Sequence, residues 1–258
     1  MELHNSGLQL SSAGRVRLDL QPRFVMRLQL KPQPLGRAHR NRSEPVQPGT
    51  KAIPMSSSQF LARQLGNPSK VVGRFLAPMW NKRNQALHDA TFASLALDIN
   101  DRVLEVGSGG GSLLGRIASV TTEGVVVGVD ISPAMISYCT RRHRPLIDSG
   151  RLALACASAD AIPYPDCHFN KICTVNSVFY WPNVFDALAE FRRLLEVSGT
   201  FVMCFTCRSS LQRKRFAEHI RLYEPQDIAD MMTSSGFQNL HQQLLLDRHR
   251  QFVCITAS

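Results

Sequence analysis

From residue 98 onward, apolar runs of strand length alternate with longer runs whose apolar residues repeat at helical spacing. The first strand-length run is RVLEV at residues 102–106, and a second run at residues 124–130 reads GVVVGVD. Between them, LLGRIASV at residues 113–120 has the amphipathic pattern of a helix. Alternation of this kind is typical of an α/β fold.

The segment before this alternation, residues 55–97, is helical in pattern. Apolar residues recur at helical spacing in SSSQFLARQLG, SKVVGRFLAPMW and NQALHDATFASLAL. Ser58 or Asn84 can cap such helices, because a short polar side chain accepts hydrogen bonds from the first free backbone amides. We therefore divide the chain into an N-terminal extension (1–54), a helical cap (55–97) and an α/β core (98–258).

Residues 1–54 differ in composition from the rest of the chain. They carry nine Lys and Arg residues and three acids, out of chain totals of 30 and 20. Their proline-rich polar run KPQPLGRAHRNRSEPVQPG cannot drive the burial of a core. We expect a basic, disordered extension that is dispensable for activity. An organelle-targeting segment, a nucleic-acid-binding arm and a natural start at Met55 stay open as alternatives.

The cysteines and the hydropathy of the chain bear on its surroundings. Seven thiols, an odd number, and the lack of a secretory signal pattern favour free cysteines in a reducing compartment, the cytoplasm. Cys204 and Cys207 form a lone CxxC without the second ligand pair of a structural zinc site, so no metal is expected. No apolar run approaches the roughly 20 residues of a membrane-spanning helix.

The loop after the first predicted strand carries candidate chemistry. It reads Gly107-Ser108-Gly109-Gly110-Gly111-Ser112. Glycines let the backbone approach a ligand closely, and the amides that open the next helix favour an anionic group. Asp130 follows at the tip of the second strand, where a carboxylate can accept both hydroxyls of a ribose. Strand, glycine loop, helix, strand and acid together predict a nucleotide-binding unit.

Glu105 places a carboxylate inside the apolar first strand, two residues before the glycine loop. A buried charge is unfavourable unless it is paired or hydrogen-bonded. A nearby ammonium group would be a natural partner, or the carboxylate accepts backbone amides of the loop. Both interpretations can hold together.

With Glu105 ahead of it, the G-x-G-x-G spacing of the loop resembles motif I of the class I S-adenosylmethionine-dependent methyltransferases. The resemblance continues in the family's order. VGVDISPAMI (127–136) is similar to the acidic-loop segment, and ASADAIPYPDCHFNKICTVNSVFYW (157–181) to the third and fourth strands. FDALAEFRRLLEVSGTFVMCF (185–205) and LYEPQDIADMMTSSGFQNLHQQ (222–243) resemble the fifth-strand unit and the last helix with the entry to strand six.

The resemblance implies a Rossmann-like sheet of seven strands, parallel apart from the last, with helices on both faces and an N-terminal helical cap. It implies S-adenosylmethionine as cofactor and transfer of its sulfonium methyl by in-line displacement. In the family's pattern Asp130 binds the ribose, Ile131 and Met135 contact the adenosine, and Asp160 and Ala161 hold the adenine. The implied cofactor-binding residues are Glu105, Gly107, Ser108, Gly109, Gly111, Asp130, Ile131, Met135, Asp160, Ala161 and Asn176.

Four further residues are candidates for lining the substrate site. Tyr180 and Trp181 follow the fourth strand at the carboxyl edge of the sheet, where ligands of such folds bind, or they pack in the core. Trp80 and Asn84 of the cap can close the pocket, or they serve helix packing alone. No catalytic base is assigned, because the motif leaves the acceptor atom open.

A small organic molecule is the expected methyl acceptor, since the chain has no recognisable nucleic-acid module and no added substrate domain. Two alternatives stay open. One is an RNA or protein methyltransferase that uses the basic extension as an arm. The other is a fold that binds the cofactor without transferring its methyl group. The sequence does not indicate the oligomeric state.

Overall fold

The computed structural model describes residues 56–258, without the side chains of residues 70, 71 and 74–76. The basic extension 1–54, and the predictions made for it, lie outside the described residues.

A single seven-stranded sheet runs through the described part of the chain, in the order β3-β2-β1-β4-β5-β7-β6. Strands β1 to β5 pair in parallel, and β7 is antiparallel to both of its neighbours, as predicted. The strands are β1 (Arg102–Val106), β2 (Val125–Asp130), β3 (Leu152–Cys156), β4 (Phe169–Val175), β5 (Leu195–Thr206), β6 (His241–Leu246) and β7 (Gln251–Ala257).

The helices precede the sheet or connect its strands. Among residues 56–258, none is long and apolar enough to cross a membrane. They are α1 (Ser57–Gly66), α2 (Lys70–Arg83), α3 (Gln85–Leu95), α4 (Ser112–Val120), α5 (Pro133–Arg142), α6 (Arg144–Asp148), α7 (Val184–Leu194), α8 (Arg208–Leu211) and α9 (Pro225–Ser234).

Two apolar clusters hold helices on opposite faces of the sheet. Side chains alternate between the faces along each strand, so Val103 and Leu104 of β1 belong to different clusters. Helices α3 and α4 cover one face, and α7 and α9 cover the other. This three-layer packing leaves the carboxyl ends of the parallel strands as an open edge.

The residues that begin the cap helices differ from those expected. Ser56, not Ser58, caps α1: its hydroxyl accepts from the amide of Gln59 at 3.1 Å, and the Gln59 side chain accepts from the amide of Ser56 at 3.0 Å. Asn84 precedes α3, but its side chain makes no capping bond. The Ser58 hydroxyl instead lies 2.9 Å from Nε2 of His219.

The third strand also lies earlier than the resemblance placed it. It covers Leu152–Cys156, and residues 157–181 contain only the fourth strand. The polar stretch after Cys156 forms a tight turn, in which Ser158 and Ala161 make an isolated bridge. The amide of Ala161 donates to the carbonyl of Ser158 at 3.2 Å, so the chain reverses direction where a strand was expected.

Candidate active site

The glycine loop lies across the carboxyl ends of β1 and β2. Backbone φ is +74° at Gly107 and +50° at Gly109, in the left-handed region that glycine adopts most readily. The amides of Gly107 and Ser108 donate to the carbonyl of Val129 at 2.8 and 3.1 Å, which ties the loop to β2. A Cβ at Gly107 would lie 2.6 Å from Cβ of Ser177, so the loop fits closely against the end of β4.

Asp130 is held by the loop that it faces. One carboxylate oxygen accepts from the Gly109 amide at 2.9 Å, and the other accepts from the Ser132 amide at 2.8 Å. Burial raises the pKa of Asp130, and these two amides partly offset the rise. Because each carboxylate oxygen has a second lone pair, the group can still accept hydrogen bonds from a ligand.

Glu105 is fully buried and only partly satisfied. Burial, followed by the charge of Asp130, raises the pKa of Glu105 well above its usual range, and the backbone amide of Leu114 opposes the rise. Among the described residues, its Oε2 has no hydrogen-bond partner, and neither has the buried hydroxyl of Ser108. Both residues line one cleft with Asp130, so the cleft holds unsatisfied polar atoms and two acidic groups that favour a cationic ligand.

A cavity of about 250 Å³ opens at this edge of the sheet, between the strand ends and the cap helices. Twelve of the predicted site residues line it. They are Glu105, Gly107, Ser108, Gly109, Asp130, Ile131, Met135, Asn176, Tyr180, Trp181, Trp80 and Asn84.

Gly111 does not line the cavity. A Cβ there would lie 2.8 Å from Sγ of Cys139 and 3.0 Å from Nε2 of His143, so the residue faces helix α5. The Gly111 carbonyl lies 2.7 Å from the same Nε2. Gly111 therefore shapes the loop from behind, and its direct contact with the cofactor stays a prediction.

The adenine contacts of Asp160 and Ala161 stay predictions too. Both residues are exposed at the tip of the turn that follows β3, and neither lines the cavity. The wall beside Asp130 is formed by Ala157, Ser158 and Ala159 instead. These three residues lie one to four positions earlier in the chain than the two that the resemblance suggested.

The three aromatic candidates line the cavity and also pack against neighbouring helices. Tyr180 packs against α1, since a Cβ at Gly66 would lie 2.5 Å from its ring, and burial raises the pKa of its hydroxyl. Trp181 packs edge-on against Phe191, 5.3 Å between centroids, while still lining the cavity. Trp80 packs with an apolar cluster of α2 and α5. All three therefore combine lining with packing.

A polar network forms the far wall of the cavity, over β4 and β5. Nδ2 of Asn176 donates to Oδ1 of Asn84 at 3.0 Å. Oδ1 of Asn176 accepts from the amide and the hydroxyl of Thr206 at 2.8 and 3.1 Å. Arg250 donates to Oδ1 of Asn84 at 3.1 Å and to the hydroxyl of Thr206 at 3.3 Å. The network joins the cap, two strand ends and the β6–β7 hairpin.

Sequence reasoning missed Thr206, Arg250, Arg83 and His88, all of which line the cavity. Thr206 ends β5, so the rule that ligands bind at carboxyl strand ends could have found it. His88 lies one helical turn after Asn84 on α3, and neither ring nitrogen has a hydrogen-bond partner within residues 56–258. Burial, and then the charge of Arg116, lower the pKa of His88 to about 4, so the imidazole is neutral at pH 7.

This arrangement is typical of one class of enzyme, the class I S-adenosylmethionine-dependent methyltransferases, and the comparisons with known proteins support that class for this chain. Residues 104–203 match the family described as methyltransferase domain. The match spans β1 to β5 and therefore includes the glycine loop, Asp130 and Asn176. The cofactor of this class is S-adenosylmethionine, and the protein is a methyltransferase.

Individual relatives agree with this assignment. An uncharacterised methyltransferase of Bacillus subtilis, YdaC, is 25% identical over 174 residues, which are 67% of this chain and 92% of the relative. The ubiquinone/menaquinone biosynthesis C-methyltransferase UbiE of Citrifermentans bemidjiense is 34% identical over 113 residues, 42% of this chain and 47% of its own. The fold is similar to that of an S-adenosylmethionine-dependent methyltransferase from Aquifex aeolicus, with a TM-score of 0.58, 14% identity and coverage of 77% and 97%.

Proposed function

We propose that the cavity binds S-adenosylmethionine over the ends of β1 and β2 and presents its methyl group to a small-molecule acceptor over β4 and β5. The observation that carries this proposal is the pair of buried acids, Glu105 and Asp130, which face one cleft and form no ion pair with any side chain that the structure describes. S-adenosylmethionine has a cationic sulfonium and a cationic ammonium group. Both charges are favoured beside two carboxylates in a site of low polarity.

Each contact along the cofactor half has a physical reason. Asp130 keeps free lone pairs for the ribose hydroxyls, and its position is fixed by two amides of the surrounding loops. Glu105 Oε2 and the Ser108 hydroxyl, which are buried without a partner in the described part of the chain, suit the polar amino-acid part of the cofactor. Ile131, half exposed, and the buried Met135 offer apolar contact to the adenosine.

Ser158 is proposed to take the place intended for Asp160. It lines the cavity beside Ala157 and Ala159, next to the end of β2. A hydroxyl both donates and accepts, so it can bond an exocyclic amino group of the adenine ring. A serine there adds no third negative charge to a wall that already holds Glu105 and Asp130.

Bound S-adenosylmethionine supplies a methyl group on a positively charged sulfur, which a nucleophile can displace. The contribution of the chain is then orientation and exclusion of water. Asn176, held on both sides by the polar network, fixes the floor at the end of β4. Tyr180 and Trp80 form apolar walls that keep water from the transfer path.

The acceptor is proposed to be a small and partly apolar molecule. Leu211, Phe216 and Ile220 of the segment after β5 line the outer cavity, and this segment contacts α1 through Ser58 and His219. Two elements therefore meet over the cleft and enclose it. The name of the UbiE relative, which acts in quinone biosynthesis, supports an acceptor of this kind.

Two measurements test the proposal. Titration calorimetry with S-adenosylmethionine should show binding that Glu105→Gln and Asp130→Ala weaken, while Asp166→Ala, an exposed acid after the Ser158 turn, leaves it unchanged. Incubation with methyl-labelled cofactor and a fractionated metabolite extract should then yield a labelled small molecule. Label found only on RNA or protein, or cofactor binding without any labelled product, would replace the proposal by one of the two alternatives.

The cellular location is proposed to be the cytoplasm. All seven cysteines are free, and five of them are buried, where they behave as small apolar side chains. A protein with this many unpaired thiols is typical of a reducing compartment. Imaging of the tagged full chain checks this, and accumulation in an organelle would instead support a targeting role for residues 1–54.

A further inference from the structure

The order of the strands separates two kinds of charge along the cleft. Asp130 ends β2 and Glu105 lies in β1, whereas Arg250 immediately precedes β7. Strands β4 and β5 lie between β1 and β7. With neighbouring strands about 4.8 Å apart, the backbones of β1 and β7 are separated by about 14 Å. The cleft therefore has an acidic end, at β1 and β2, and a second end that carries the cation Arg250.

Arg250 is a buried cation at that second end. Its side chain is 8% exposed, and it reaches the cavity from the tip of the β6–β7 hairpin. Nε donates to Asp247 at 3.2 Å, one Nη1 bond goes to Thr206, and Nη2 donates to Asn84 and to the carbonyl of Arg83. A guanidinium has five N–H groups, so one N–H of Nη1 remains for a ligand.

The charges around Arg250 do not cancel. Asp247 is its one carboxylate partner among the described residues and lies on the hairpin side. Arg83 also lines the cavity, and its positive charge is near enough to Arg250 to lower the pKa of Arg250 further, after the larger effect of burial. His88 adds no charge at neutral pH, and Arg116 is paired with Asp89 at 2.5 Å. The wall over β5 and β7 thus keeps a net positive charge.

We propose that the methyl acceptor carries an anionic group, a carboxylate or a phosphate, which Arg250 binds together with Arg83 while the apolar remainder lies against Leu211, Phe216 and Ile220. This inference rests on the proposed function, because it assigns the substrate of the same cleft. Arg250 then sets specificity. A planar guanidinium held by four hydrogen bonds is already oriented, so little side-chain entropy is lost when an anion binds.

The two tryptophans of the chain give a direct readout, because Trp80 and Trp181 both line the cavity. The full-length protein, saturated with S-adenosylhomocysteine, is titrated with octanoate, octyl phosphate and octanol while tryptophan fluorescence is followed. We expect at least one anionic probe to bind tenfold or more tightly than octanol, with an affinity that falls as salt is raised. Octanoate and octyl phosphate distinguish the two sources of negative charge.

Substitutions then assign the effect to one residue. Arg250→Met should weaken the preferred anionic probe at least tenfold and leave octanol unchanged, and Arg250→Lys should retain part of the preference. Arg248→Met is the matched control, since Arg248 is an exposed cation of the same hairpin tip outside the cavity. Should Arg250→Met fail to fold, Arg83→Gln replaces it, because the Arg83 guanidinium has no partner within residues 56–258.

Titration with S-adenosylmethionine separates this inference from the proposed function. If Arg250→Met keeps its affinity for the cofactor but no longer binds the anionic probe, the result supports both the proposed function and the acceptor inference. Equal binding of all three probes overturns the acceptor inference and leaves the cofactor site standing. If Arg250→Met weakens the binding of the cofactor and of the anionic probe equally, Arg250 binds the carboxylate of the cofactor. That result would also overturn the acceptor inference.

Discussion

Asn84 and Asn176 face each other across the cleft, with Nδ2 of Asn176 3.0 Å from Oδ1 of Asn84. Asn84 belongs to the junction of α2 and α3, and Asn176 follows β4 with a left-handed φ of +54°. One side-chain bond therefore connects the cap to the sheet at the centre of the site. Because Oδ1 of Asn84 also accepts from Arg250, this single oxygen receives two buried donors.

Asn84→Ala removes that shared acceptor. Two donors, the Asn176 amide and the Arg250 guanidinium, then lose a partner in a part-buried site, and we expect the free energy of unfolding to fall by about 1–3 kcal/mol. Urea denaturation followed by circular dichroism measures the change. Gln85→Ala, at the exposed next position, is the control. Equal stability of both variants would show that the cap does not depend on this bond.

Asp130→Ala should weaken S-adenosylmethionine binding by about 2–4 kcal/mol, from two charge-assisted bonds less some replacement by water. From the sequence, a strand tip facing a cleft predicts little change in stability. The structure corrects that expectation, since the amides of Gly109 and Ser132 also lose their acceptor. Calorimetric binding and thermal unfolding should both change, and the exposed Asp166→Ala should leave cofactor binding unchanged.

Gly109→Ala should affect binding far more than folding. The nearest heavy atom to an added Cβ is the Gly107 carbonyl at 3.9 Å, so the methyl group points into open space beside the loop. The left-handed φ of +50° makes the substitution unfavourable by about 1–2 kcal/mol. We expect the cofactor affinity to fall at least tenfold while the variant remains folded. Wild-type affinity in this variant would place the cofactor away from the loop.

Glu105→Gln should have opposite effects on stability and on binding. The folded-state pKa of Glu105 lies above its unfolded value, so the wild-type protein without cofactor loses stability as pH rises through that raised pKa. The amide lacks the buried charge, and the variant should be more stable at pH 8 with a flatter pH profile. S-adenosylmethionine binding should weaken by about 1.5–3 kcal/mol. Urea denaturation across pH measures the stability, and calorimetry measures the cofactor affinity. A variant in which stability and affinity both rise, or both fall, relative to wild type would contradict this prediction.

His88 should make the protein acid-sensitive. Its pKa is about 4 in the folded state and about 6.5 when unfolded, so the unfolded chain binds the extra proton between these values. Stability therefore falls as pH falls from 6.5 to 4, by up to about 3 kcal/mol. Glu105 acts in the opposite direction over part of this range, so the informative quantity is the difference between wild type and His88→Asn. A constant difference across pH 4–7 would exclude the effect.

The parts of the site that could be predicted from the sequence are those whose residues lie close together along the chain. Glu105, the glycine loop and Asp130 are close in the chain, and strand periodicity fixes which edge they share. The turn around Asp160 was not predicted, because periodicity gives no signal for a tight turn and β3 ends four residues earlier. Arg250 could not be predicted, because it reaches the cleft only through the antiparallel pairing of β7 with β5.

The two halves of the cleft are formed by different parts of the chain, and this has an evolutionary consequence. The acidic half comes from one continuous stretch of the chain, whereas the other half is assembled from the cap, the segment after β5 and a hairpin tip. A change in length or sequence at the hairpin or at that segment can alter which molecule is methylated without disturbing the source of the methyl group. Exchanging residues 247–250 between relatives is therefore a direct way to transplant acceptor preference.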